Sequence, residues 1–242
     1  MSISPAMSEV LVMTAYSVVI PVYNEEESLP VLFQELFAVM TEMGKPFEIL
    51  FVNDGSSDRS AEVIDGFVVE HPQDVRVIHL NQRNGQTFAL KQGLDAAKGE
   101  VVVTLDADLQ NDPADIPQLI AKLEDENLDV VCGWRRARKD RLLKAVFSKF
   151  GNFLEQMLTG LTVHDVSCTL RVYKRSCIDK IALNREGMHR FIPLSLVLQG
   201  CRAGEIESNH RLRKFGRSKY GHQRILKVVI DFFRLLASRG RA

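Results

Sequence analysis

Apolar and polar positions follow two different periods along the first half of the chain. Short runs rich in β-branched and aliphatic residues fall at 16–22 (YSVVIPV), 47–53 (FEILFVN), 75–80 (VRVIHL), 101–105 (VVVTL) and 129–133 (DVVCG), and each predicts a strand. Several are apolar without alternation, as expected of strands covered on both faces. Between them, residues 25–43, 57–70, 86–98 and 113–126 carry a helical period. In the first of these, Leu29, Leu32, Leu36, Val39 and Met43 mark one apolar stripe. Strand and helix in alternation predict an α/β fold, a mostly parallel sheet with helices on both faces.

Beyond Gly133 the pattern changes. Residues 139–158 read as a basic amphipathic helix, 170–174 as another strand, and 176–183 and 188–198 as helical. A loop rich in Gly, Arg and Lys follows at 211–221, then a last helix from 223 to about 238. With no internal repeat and no low-complexity linker, the expected organisation is a leader at 1–15, one domain at 16–222 and a C-terminal amphipathic helix at 223–242.

In a parallel sheet ligands collect at the carboxyl ends of the strands. The polar clusters fall there: Pro21-Val22-Tyr23-Asn24-Glu25 after the first strand, Asn53-Asp54-Gly55-Ser56 after the second, and Asp106-Ala107-Asp108-Leu109-Gln110 after the fourth. Three strand ends thus place acidic or amide side chains on one rim. Charge sharpens this picture. The 242 residues balance to zero, yet 1–132 hold 7 Lys+Arg against 23 Asp+Glu and 133–242 hold 24 against 8. An acidic half suits cations, and a basic half suits phosphates or an anionic membrane face. The four cysteines form no C-x-x-C pair and read as reduced structural thiols of a cytoplasmic protein. No secretory signal and no run of ~18 uncharged apolar residues is present, so the chain is not expected to cross a membrane by itself.

Two carboxylates one residue apart, Asp106 and Asp108, can share a hard divalent cation that bridges a donor's phosphates. Asp54, directly after an apolar strand, is placed to contact a base or ribose, while Ser56, Ser57 or Asp58 suits turn and cap chemistry. The histidines are scattered without metal-ligand spacing, and neither a dinucleotide fingerprint nor a P-loop is present.

Taken in order and spacing, VVIPVYNEEESL (18–29), VNDGSSD (52–58) and DADLQNDP (106–113) resemble glycosyltransferase family 2, with its Rossmann-like GT-A fold. The nearer resemblance is to the dolichol-phosphate-mannose-synthase-like group, which includes bacterial polyprenyl-phosphate glycosyltransferases. GWR (133–135), VHDVSCTLRVYKR (163–175), HRFIP (189–193) and RKFGRSKYG (213–221) support it, so that it covers residues 16–222. The resemblance implies an inverting transfer of a hexose or hexose derivative from a GDP- or UDP-sugar to a polyprenyl phosphate, with Mg²⁺ or Mn²⁺ as cofactor. Pro21, Tyr23, Asn24 and Glu25 would line the nucleotide site with Asp54. Asp106, Asp108 and Gln110 would hold the metal and diphosphate. Arg135, Lys144, Ser148 and Arg213 would bind the acceptor phosphate, and Lys219 either phosphate. Lys144 stands where relatives often carry arginine, which keeps the charge and loses the bidentate fork.

Chemistry agrees with that division. A phosphate monoester is anionic near neutral pH and can attack without a general base, so the enzyme must chiefly bring two polyanions together. Asp165 is expected either as an orienting residue or base, or as a polar contact steadying Arg171 or its loop. The last helix spaces Arg224, Lys227, Asp231 and Arg234 along one side and leaves a wide apolar face. Such a helix lies in a bilayer interface, packs on its own domain, or meets a partner's membrane helix. Peripheral association with the cytoplasmic face of a membrane is the expectation. Two alternatives remain: a soluble transferase acting on a sugar hydroxyl, and a catalytically silent module of the same fold.

Overall fold

A computed structural model describes residues 13–136 and 163–215 of the chain. Residues 1–12 of the expected leader, the expected basic helix at 139–158 and everything from 216 onward, with the expected C-terminal amphipathic helix, lie outside the described residues.

Seven strands form one sheet: β1 Tyr16–Val22, β2 Phe47–Asn53, β3 Val75–His79, β4 Val101–Thr104, β5 Val130–Trp134, β6 Arg171–Lys174 and β7 Ala203–Glu207. Their spatial order is β3-β2-β1-β4-β6-β5-β7. Strands β1 to β4 are parallel neighbours, β6 runs antiparallel between β4 and β5, and β7 pairs parallel with β5. The chain builds outward from β1 through β2 to β3 and then crosses back to place β4 on the other side of β1. The carboxyl ends of β1 and β4 therefore meet where the strand order reverses, which is where open α/β sheets bind ligands.

Apolar runs form these strands because each face of the sheet has its own core. Val18, Ile20, Ile49, Phe51 and Val103 point into one core, which they share with α1 (Leu29–Glu42), α2 (Ser60–Glu70) and α4 (Ile116–Asp125). Val19, Leu50 and Val102 point into the other, with α3 (Gln86–Ala96) and a short helix α5 (Ile192–Leu198). Period-2 geometry sends neighbours to opposite faces, and both faces are covered, so the middle of each run is apolar, while the buried Ser17 and Glu48 near the strand starts satisfy one another at 2.6 Å. The buried stripe of α1 is Leu29, Leu32, Phe33, Leu36 and Met40, whereas Val39 and Met43 of the expected stripe are only half-buried.

Several expected helices are tighter or shorter than their patterns. Residues 113–115 and 175–180 are single 3₁₀ segments, and another at 188–191 precedes α5. Proline at the first turn starts α1, α4 and α5, where the missing N–H costs nothing. Asp58, among the three expected capping candidates, accepts the Ser60 amide at 3.0 Å at the start of α2. The strand β7 was not expected from its pattern.

Candidate active site

The loops that follow β1, β2, β3 and β4 converge on one open cleft lined by Pro21, Tyr23, Glu25, Asp54, Arg83, Gln86, Asp106, Asp108 and Arg213. Asp54 is buried and takes amide protons from Asn84 at 2.7 Å and Gly85 at 2.8 Å, which locks the β2 loop to the β3 loop. Between them Gly55 has φ of +63°, and a Cβ there would lie 2.6 Å from the Gln82 carbonyl carbon, so only glycine allows this approach. Arg83 stacks over the Tyr23 ring with its guanidinium carbon 4.2 Å from the centroid.

Asp106, two residues past the end of β4, lies at the floor of the cleft and accepts a hydrogen bond from Gln86 Nε2 at 2.7 Å. Burial, and then the neighbouring Asp108 carboxylate, push its acid up to about 6, while a Thr169 hydrogen bond and the Arg135 and Arg171 charges pull the other way. Asp108 is fixed by the Gln110 amide at 3.0 Å and meets Arg213 Nη2 at 2.5 Å, with Leu109 at φ +62° turning the loop between them. Arg213 also lies 3.6 Å from Glu25. Two residues earlier Arg211 pairs with Asp112 and Glu35, each at 2.6 Å, so the segment after β7 is strapped across the acidic rim. A smaller pocket behind Asp106 is lined by Thr104, Thr169, Arg171 and His189.

Five of the expected nucleotide-side residues, Pro21, Tyr23, Glu25, Asp54 and Asp106, meet in the cleft together with Asp108 and Arg213. Asn24 does not line it. Its side chain instead bonds Ser57, and its amide donates to Ser56, because φ of +51° turns it toward the β2 loop. Gln110 also stays off the lining, and its backbone is what acts, donating to Asp108 and accepting the Arg211 amide. Arg135 is also absent from the lining. Its guanidinium grips Asp165 at 2.7 and 3.0 Å and Ser167 at 3.0 Å, with the pair largely shielded, so a carboxylate already fills its fork. Asp165 accordingly takes the steadying role, toward Arg135 in place of Arg171, whose fork binds the carbonyls of His189 and Val166. Lys144, Ser148 and Lys219 lie outside the described residues.

Arg83 and Gln86 were missed in the sequence. The signal was present: Asn81-Gln82-Arg83-Asn84-Gly85-Gln86 is a polar cluster at the carboxyl end of β3, of the kind that marked the other three strand ends.

A family model described as glycosyl transferase family 2 matches residues 17–182. The chain belongs to glycosyl transferase family 2. Among curated family 2 relatives, the dodecaprenyl-phosphate galacturonate synthase of Rhizobium johnstonii is 38% identical over 223 residues, covering 91% of this chain and 66% of the relative. The undecaprenyl-phosphate 4-deoxy-4-formamido-L-arabinose transferase of Salmonella paratyphi A is 42% identical over 222 residues, covering 92% and 67%. This chain thus spans about two thirds of the length of these relatives. The fold is GT-A-like. Glucosyl-3-phosphoglycerate synthase from Mycobacterium tuberculosis, crystallised with Mn²⁺, UDP and phosphoglyceric acid, superposes with a TM-score of 0.67 at 18% identity over 93% of this chain and 78% of that one. A mannosyltransferase from Pyrobaculum calidifontis in complex with GDP-Man and Mn²⁺ gives 0.59 at 20% identity over 83% and 58%.

Proposed function

We propose that this family 2 domain transfers a sugar from a nucleotide-diphosphate donor to a polyprenyl phosphate. The observation that carries the reading is the convergence of Asp54, Asp106 and Asp108, from three separate strand ends, into a cleft that also receives Arg83 and Arg213. The curated relatives named above act on polyprenyl phosphates, and their sugars are a galacturonate and a formamido-arabinose.

Asp54 and the Arg83–Tyr23 stack form the wall for the base, and Asp106 with Asp108 the floor for the diphosphate. No group of three His, Cys, Asp or Glu among the described residues can hold a metal ion unaided. Two carboxylates facing an open cleft still fit Mg²⁺ or Mn²⁺, because such ions are commonly bound by one or two carboxylates plus substrate phosphates. Bound there by Asp106 and Asp108, the ion would neutralise charge on the departing diphosphate. Gln110 contributes by clamping Asp108 through its amide. Of the arginines expected at the acceptor phosphate, Arg213 is the one that lines the cleft. It releases Asp108 and turns to a phosphate when one arrives, and Arg135 lends its charge from behind through the Asp165 pair. Lys144, Ser148 and Lys219 are proposed to add further cationic and hydroxyl contacts to the phosphates. Because Asp165 is occupied by Arg135 and Ser167, it is poorly placed as a base, which favours an acceptor that arrives already anionic over a sugar hydroxyl. We place the chain at the cytoplasmic face of a membrane, held through its basic half. No helix of the described residues is long and apolar enough to cross a bilayer.

The test is a transfer assay with a short polyprenyl phosphate, Mn²⁺ or Mg²⁺, and a panel of GDP- and UDP-sugars that includes uronic acid and amino-pentose donors. A lipid-phosphate-sugar product by mass is the expected result. Donor hydrolysis without lipid product would move the acceptor to a soluble hydroxyl, and absence of donor binding would indicate a silent module.

A further inference from the structure

The four cysteines, all free and buried, fall into two groups. Cys132 on β5 and Cys168 in the loop before β6 lie near Arg171, where burial pushes the Cys132 thiol up to about 12 and raises Cys168 as well. Cys177 and Cys201 are different. They are 24 residues apart in sequence, yet their Sγ atoms lie 3.9 Å from one another. Cys177 belongs to the 3₁₀ segment after β6, and Cys201 to the turn between α5 and β7. Lys180, exposed at the surface, places Nζ 3.7 Å from Cys201 Sγ. Gln199 Nε2 donates to the Lys180 carbonyl at 2.8 Å and holds the two turns together.

We propose that Cys177 and Cys201 form an oxidisable dithiol, a modification site at which a low-molecular-weight disulfide such as oxidised glutathione closes an internal bond. Cys201 is the more exposed of the two cysteines, 6% against 2%, and lies beside the exposed Lys180, which makes its sulfur the attacking one. Cys201 Sγ attacks one sulfur of the small disulfide. A mixed disulfide forms and one small thiolate departs, taking the Cys177 proton. Cys177 Sγ then attacks Cys201 Sγ and expels the second small thiolate, which takes a proton from water. Two protein thiols become one disulfide, and one small disulfide becomes two thiols. The sulfurs must close from 3.9 Å to about 2.05 Å, a movement for two turns and not for strands.

The pair sits away from the chemistry of the cleft. Lys174, just before the 3₁₀ segment, pairs with Val101 at the start of β4, and Ala203, just after Cys201, pairs with Val130 at the start of β5. Both turns therefore lie at the sheet edge opposite the strand carboxyl ends. Oxidation would staple β6 to β7 and leave donor binding unchanged.

The experiment incubates the full folded chain with oxidised glutathione, then maps disulfides and alkylatable thiols by mass. Expected are the loss of two hydrogens per chain, a peptide joining Cys177 to Cys201, Cys132 and Cys168 reduced, and a higher melting temperature with unaltered nucleotide-sugar affinity. The Cys177→Ser variant should instead retain a stable glutathione adduct on Cys201. A wild-type chain that stays fully reduced, that keeps glutathione without forming the internal bond, or that cross-links through Cys132 or Cys168 would overturn the proposal.

Discussion

At the scale of single residues, the cleft sets Glu25, Asp54, Asp106 and Asp108 beside Arg83 and Arg213. Asp108 faces Arg213 at 2.5 Å, so its carboxylate is oriented toward a cationic group in the cleft. Asp108→Asn keeps the shape and the Gln110 amide contact but loses the charge. Transfer should fall by about 100-fold or more with the melting temperature little changed, and full activity in the mutant under chelation would remove the metal mechanism. Arg213→Ala should weaken acceptor use more than donor binding, read as a rise in the acceptor KM with donor affinity retained. Equal losses would show that Arg213 serves the donor instead. Arg83→Ala removes the stack on Tyr23 and should raise the donor KM several-fold, in line with about 1 kcal/mol for an exposed cation–π contact.

At the scale of elements, α3 carries the site and two contacts decide its position. Gly93 lets the helix rest on the sheet, since a Cβ there would lie 2.3 Å from Val19 Cγ1 and 3.0 Å from Val52 Cγ2. Gly93→Ala should cost about 1–3 kcal/mol by overpacking, measured by urea unfolding, and should also lower donor affinity because α3 positions Gln86 against Asp106. At the other contact Thr87 Oγ1 bonds His189 Nδ1 at 2.6 Å and accepts the Gly187 amide. Burial, with the Arg190 and Arg171 charges, pushes His189 down from 6.5 to about 3, so it is neutral when folded. Between those values the unfolded chain binds the extra proton. The contribution of His189 is therefore complete above pH 6.5 and lost as pH falls toward 3. Urea midpoints taken across that window should drop with acid in the wild type, and the slope should flatten in His189→Gln. These elements also show what local pattern conveys. The apolar runs of β1 and β2 matched their strands residue for residue because both faces are buried. The strand β7, AGEIE, is half-exposed and neither apolar nor cleanly alternating, and it exists because β5 offers it a parallel partner.

For the whole molecule, the opposition of an acidic first half and a basic second half is a property of the linear chain with a spatial consequence. Acidic residues gather at the rim where β1, β2 and β4 end, and the later arginines are drawn onto it: Arg211 to Asp112 and Glu35, Arg213 to Asp108 and Glu25. If the remaining basic charge faces a membrane, co-sedimentation with anionic vesicles should fall steeply as salt rises, because exposed charges are screened beyond a Debye length of about 8 Å at physiological ionic strength. Salt-insensitive binding would point to apolar insertion as the main anchor.

By itself the sequence determined the alternation of strands and helices, the placement of Asp54, Asp106 and Asp108 at strand ends, and the resemblance to family 2, because burial period and strand-end chemistry are local. Only the tertiary structure decided the rest. Inserting β6 antiparallel between β4 and β5 brings Arg171 beneath Asp106, pairing Arg135 with Asp165 withdraws it from the cleft, and the β3 loop delivers Arg83 and Gln86. Those outcomes depend on which distant segments pack together, and a charged side chain takes whichever counter-charge the fold brings within reach.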